Sequence, residues 1–123
     1  TAPLDESYPC SIIGSAEPFV LDWEETIRAI IADIDRSVPV GAIAARFHNA
    51  LADVAVAMAE RIGEETVVLT GGCFQNRYLL ERTVMRLRET GFAPYRHRRI
   101  PSNDGGIAAG QLAAAARELT KRK

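Results

Sequence analysis

Between Thr66 and Thr70 the chain carries an unbroken β-branched and apolar run, TVVLT, closed on its far side by the paired glycines Gly71 and Gly72. Glu64 and Glu65 put charge on the near side. Such a run, with no polar alternation, predicts a strand covered on both faces, in a sheet layered with helices. The downstream sequence keeps that rhythm. Leu80, Val84 and Leu87 recur at helical spacing within 75–90, Gly91 closes that segment, and 92–97 reads as a second strand. A polar turn over 101–106 then leads into a last helix over 106–119. The order strand, glycine turn, helix, strand, polar turn, helix predicts an α/β fold, helix-rich with a small sheet.

Upstream, Asp22 with Glu25 three residues later resembles a capping box, so a helix is expected to start there. Its apolar stripe is Trp23, Ile27, Ile30, Ile31 and Ile34, and Pro39 and Gly41 break the pattern. A second helix is expected over 42–62, stopped by Gly63. Its large apolar residues, Ile43, Phe47, Leu51, Val54, Met58 and Ile62, run beside a stripe of small ones, Ala44, Ala52, Ala55 and Ala59, interrupted by His48. A helix apolar on more than one face must lie between other elements, and a thin sheet offers it little surface. Residues 1–21 are expected to form an extended arm or edge strand, with 8–13 as the strand candidate.

Composition narrows the functional classes. At 123 residues and 47% hydrophobic, the chain fits one domain with a core. A net charge of −1 argues against a domain built for nucleic acid or an anionic membrane surface, so neither partner is expected. Cys10 and Cys73 form no disulfide framework and no metal-ligand spacing. No apolar run approaches the ~18 residues of a membrane span. The start TAPLDESYPC has no basic-then-apolar leader, so a cytoplasmic location is expected. Thr1 is not an initiator methionine, and an excised piece of a longer protein is expected.

Both glycine turns follow a strand and precede a helix, which places them at one end of the sheet, where ligands of open α/β sheets bind. Two readings of Gly71-Gly72 stay open: a tight turn, or a loop whose backbone approaches a phosphate, with Asn76 capping the helix or bonding the ligand. Asp104, in Ser102-Asn103-Asp104-Gly105-Gly106, is either an N-cap or a carboxylate able to hold a metal by oxygen ligation. His48 among alanines reads as a packed core histidine. Cys73, with no base beside it in sequence, makes a poor nucleophile. Arg96, His97, Arg98 and Arg99 read as a solvated edge that could also meet an acidic partner or phosphate.

Taken together, VVLTGGCFQNRYLLE and PYRHRRIPSNDGGIAAGQ resemble the end of the HypF family, the carbamoyltransferases of nickel–iron hydrogenase maturation; AARFHNALA resembles that family's FH-containing helix. The likeness covers about 40–116. It implies the C-terminal portion of an acetate and sugar kinase/Hsp70/actin-type (RNase H-like) domain, and with it a fragment of an enzyme. It further implies formation of carbamoyl-adenylate from carbamoyl phosphate and ATP, and transfer of the carbamoyl group to the C-terminal cysteine of a HypE-type acceptor. By that resemblance Gly71, Gly72 and Asn76 bind nucleotide and Asp104 is a ligand to a divalent metal ion whose other ligands lie upstream; the remainder of the HypF chain is then a partner. No catalytic residue is assigned. Cys73 stands where the family commonly has valine, which argues against a role for its thiol. The related tRNA threonylcarbamoyladenosine enzymes read GGVAAN and TDNAA at these turns, so the NDGG wording favours HypF over a tRNA-modifying or antibiotic-carbamoylating enzyme. The isolated piece is expected to be inactive. The alternative is a non-catalytic nucleotide-binding or assembly module of the same fold.

Overall fold

The computed structural model describes residues 5–122. In chain order these form β1 (Ser11–Ile13), β2 (Val20–Asp22), α1 (Glu24–Asp35), α2 (Val40–Ile62), β3 (Thr66–Leu69), α3 (Arg77–Glu89), β4 (Ala93–Arg96) and α4 (Ile107–Lys121). The strands make two small sheets: β1 pairs antiparallel with β2, and β3 pairs parallel with β4. The expected α/β order from Thr66 onward is present, with α3 as the crossover between the parallel strands. No helix among the described residues is long and apolar enough to cross a membrane.

The core lies where α2 and α3 cover one face of β3. Val56 and Ala59 of α2, Leu69 of β3, and Val84 and Leu87 of α3 are buried together, with Val67, Phe74, Leu80 and Phe92 packed against them. The buried side of α2 is Asn49, Ala50, Ala52, Val56 and Ala59, so its small residues, rather than the larger stripe, face α3. Short side chains there let the two helix axes approach, and close packing follows.

One expectation about covered faces is corrected, and the apolar stripe of α1 is found largely bare. Among the described residues β3 is covered on one face only: Val68 is 63% exposed, and so is its partner in register, Tyr95, at 62%. Alternate strand residues point to opposite faces, and α2 and α3 occupy just one of them. On α1 the isoleucine stripe faces outward, with Ile27, Ile31 and Ile34 all exposed, while Thr26 and Asp33 are buried. Polar bonds dock this helix instead. Thr26 Oγ1 donates to the Pro9 carbonyl, and Asp33 accepts from Tyr8 and Arg46. Helix α1 starts two residues after Asp22, whose Oδ1 accepts the Glu24 N–H at 3.0 Å.

Candidate functional site

The C-terminal end of the β3–β4 sheet is built from the two glycine turns. Leaving β3, the chain passes Thr70 and reaches Gly71 at φ 112°, a conformation that only glycine adopts without strain. From there the Gly71 N–H donates to the Ser102 carbonyl at 2.7 Å, which ties the first turn directly to the second. A single 3-10 turn, Gly72–Gln75, leads into α3 and turns Phe74 toward the core. The two turns are therefore neighbours, as their strand-to-helix placement predicts.

Asn76 has both side-chain groups engaged by the protein. Its Oδ1 accepts the Leu79 N–H at 3.1 Å and so caps α3. Its Nδ2 lies 2.7 Å from His48 Nε2, and His48 Nδ1 lies 2.7 Å from the Ala44 carbonyl. Those partners assign the tautomer: Nδ1 carries the proton and donates to Ala44, while Nε2 accepts from Asn76. Tyr78 meets the same imidazole edge-on at 5.7 Å. His48 is thus a structural strut between α2 and the start of α3.

In the second turn the capping residue is Asn103, whose Oδ1 accepts the Gly105 N–H at 3.0 Å. Of the two readings left open for Asp104, the N-cap is not met, because Asn103 takes that place. An Asn side chain bonds readily to the backbone two residues on, and the Asn-Asp-Gly run satisfies the turn one residue early. Asp104 is exposed, and its carboxylate makes no hydrogen bond or ion pair among the described residues. The glycines divide in the same way. A Cβ on Gly106 would sit 2.6 Å from the Pro101 carbonyl oxygen, so this glycine is demanded by packing. A Cβ on Gly72 would meet nothing nearer than Asn103 Cβ at 4.0 Å, so the chain's own packing does not require glycine there.

One contact at this end is not visible in the sequence, which placed His97 only in a solvated basic edge. His97 Nε2 lies 3.0 Å from Thr70 Oγ1. The signal was the parallel register: Leu69 pairs with Arg96, and continuing it by one residue sets Thr70 beside His97. A cavity of 210 Å³ lies where the turns meet, lined in part by Phe74, Gln75, His97, Pro101 and Ser102. Sites for drug-sized ligands run to ~300–1,000 Å³, so this space alone is smaller than such a site. Among the described residues no group of three or more His, Cys, Asp and Glu side chains is arranged to hold a metal. Asp104 fits one coordination position of a hard cation, and the remaining donors would have to come from elsewhere.

A family model described as "Carbamoyltransferase, Kae1-like Domain, second subdomain" matches residues 1–111. The chain is 42% identical over 110 residues to the carbamoyltransferase HypF of Synechocystis sp., covering 89% of this chain and 14% of that protein. It is 43% identical over 81 residues to the HypF of Rhodobacter capsulatus, covering 63% of this chain and 11% of that one. A crystal structure of full-length HypF in the phosphate- and nucleotide-bound form superposes with a TM-score of 0.81 at 37% identity, over 94% of this chain and 19% of that one. The chain thus spans about a seventh of the length of the Synechocystis relative.

Proposed function

This chain belongs to the HypF carbamoyltransferase family, and we propose that it supplies one wall of the pocket in which that enzyme adenylates carbamate with ATP. In this reading carbamoyl phosphate is the source of the carbamoyl group. Carbamoyl-adenylate forms against the two turns, and the group passes to the C-terminal cysteine thiol of a HypE-type acceptor during hydrogenase maturation. The β3–α3–β4 unit is then part of an acetate and sugar kinase/Hsp70/actin-type domain, the remainder of the HypF polypeptide completes the pocket, and the isolated piece is inactive.

The observation that carries the proposal is the bond from the Gly71 N–H to the Ser102 carbonyl. It holds two turns side by side at one sheet end while leaving Gly72 uncrowded and Asp104 without an internal partner. In the proposed roles, Gly71 sets the turn and Gly72 admits the nucleotide to the backbone. Asn76 fixes the start of α3 beneath it, with a nucleotide contact from its amide as the finer assignment. Asp104 offers one oxygen ligand to a divalent cation, which when bound would neutralise phosphate charge.

The test is Asp104→Asn in the complete polypeptide that carries this segment. Because Asn103 is the cap, thermal stability should be unchanged. Carbamoyl-phosphate-dependent exchange of pyrophosphate into ATP should fall about 100-fold or more, which is ~2.7 kcal/mol of transition-state stabilisation. Near-normal exchange would remove Asp104 from the site.

A further inference from the structure

We propose that the cleft along the free edge of β4 is a binding site for an extended, acidic segment of a partner protein. This inference does not depend on the nucleotide pocket. The cleft measures 530 Å³ and is lined by 94–100 together with Val84 and Arg88 of α3. Arg88, Arg96, Arg98 and Arg99 all reach it, with His97 between them, and no acidic residue lines it. All four arginines are exposed, and none makes an ion pair or side-chain hydrogen bond among the described residues. Carboxylates nearby are already taken: Glu81 pairs with Arg77, and Glu89 with Arg86. In a chain whose net charge is −1, this is a concentrated and unneutralised positive surface.

The walls decide what kind of anion fits. Val84, Pro94, Tyr95 and Ile100 interleave apolar surface with the guanidinium groups. A peptide bearing carboxylates and apolar side chains matches both, whereas inorganic phosphate would leave the apolar walls wet. Nucleic-acid binders commonly neutralise ~6–10 phosphates, more than this cleft provides. Extended conformation follows from the strand: β4 pairs only with β3 among the described residues, so its other edge can take an added strand. Pro94 removes one donor from the strand, so charge rather than backbone pairing would dominate selectivity. Charged residues also guard sheet edges against self-pairing, but a guard needs no walled cleft.

The experiment uses the complete polypeptide that carries this segment and a fluorescein-labelled peptide of alternating glutamate and valine, eight residues long, spanning ~26 Å when extended. Three competitors accompany it: the same peptide with lysine for glutamate, tripolyphosphate, and a single-stranded RNA dodecamer. The glutamate peptide is expected to bind in anisotropy titrations and to weaken as salt rises, because screening shortens the reach of the charges. Arg98→Ala with Arg99→Ala, both outside any helix or strand, should weaken it at least tenfold, and the paired Arg→Lys changes should retain most of the affinity. Circular dichroism melting of each variant confirms that loss of binding is not loss of fold. Absence of peptide binding, insensitivity to the alanine pair, or preference for tripolyphosphate or RNA would each overturn the proposal.

Discussion

Gly72 and Gly106 both stand in turns between a strand and a helix, yet only Gly106 is demanded by its neighbours. With the Pro101 carbonyl 2.6 Å from the place a methyl would occupy, Gly106→Ala must push backbone aside and should cost ~1–3 kcal/mol. Gly72→Ala meets open space and should change stability by less than ~0.5 kcal/mol. If Gly72 is bare in order to admit a nucleotide, the same alanine should weaken nucleotide binding tenfold or more in the complete polypeptide. Melting curves and a nucleotide titration read the two effects separately, and unchanged nucleotide affinity in Gly72→Ala would return it to a plain turn. The sequence marked both glycines as permissive but could not tell the pair apart, because the atom crowding Gly106 comes from Pro101, which the turn folds back upon it. Capping stayed open for a related reason. Asp104 and Asn103 are both good caps, and only the backbone path decides that Asn103 takes the Gly105 N–H. The His97 contact was hidden because its partner, Thr70, is distant in sequence and close only through strand register.

Helix α1 and the segment before β1 are joined by a charged clasp rather than by an apolar seam. Tyr8 O–H donates to Asp33 Oδ2 at 2.7 Å, Arg46 Nη1 donates to the same oxygen at 2.6 Å, and Arg46 also pairs with Glu6. The Tyr8 hydroxyl, then the Arg46 guanidinium, hold the Asp33 carboxyl down from 3.8 to about 2, against the opposing effect of its burial. A carboxyl with a lowered folded-state pKa stabilises fully above its unfolded value and loses that contribution as pH falls through the folded value. Melting temperatures of the wild type and Asp33→Asn should therefore differ most above pH 4 and converge as pH approaches 2. A constant difference across that range would show that the carboxylate charge is not what the clasp uses. Removing the hydroxyl with Tyr8→Phe should cost ~2 kcal/mol, as expected for a hydrogen bond to a charged acceptor, and should move the acid loss to higher pH. None of this was legible beforehand. Helical periodicity located α1 and its apolar stripe, but periodicity identifies the apolar side of a helix and not the side that a distant Arg46 will hold.

At the scale of the whole molecule, apolar surface exceeds what the described elements can cover. Ile27, Ile31 and Ile34 of α1, the Val68–Tyr95 face of the sheet, and Leu112 and Leu119 of α4 are all exposed, and α4 buries none of its residues. The core that remains is small, centred on Val56, Ala59, Leu69, Val84 and Leu87. The sequence raised one part of this: the two-faced α2 asks for more surface than a thin sheet offers. It could not say where that surface comes from, since hydrophobic pattern records which face must be dry and not what dries it. The matched HypF proteins are several times longer, and the proposal that this chain is one wall of such an enzyme carries the expectation that more of the polypeptide lies against the α1 isoleucines, Val68 and α4. The 123-residue chain alone should then bind an apolar-surface dye, associate at tens of micromolar in sedimentation runs, and show no carbamoyl-phosphate-dependent pyrophosphate exchange. Ile31→Glu together with Val68→Lys places charge on two exposed faces and should reduce the association while leaving the fold intact, because neither side chain belongs to the buried cluster. A wild-type chain that stays monomeric, ignores the dye and catalyses exchange would mean that these faces need no cover, and that one short segment completes the site by itself.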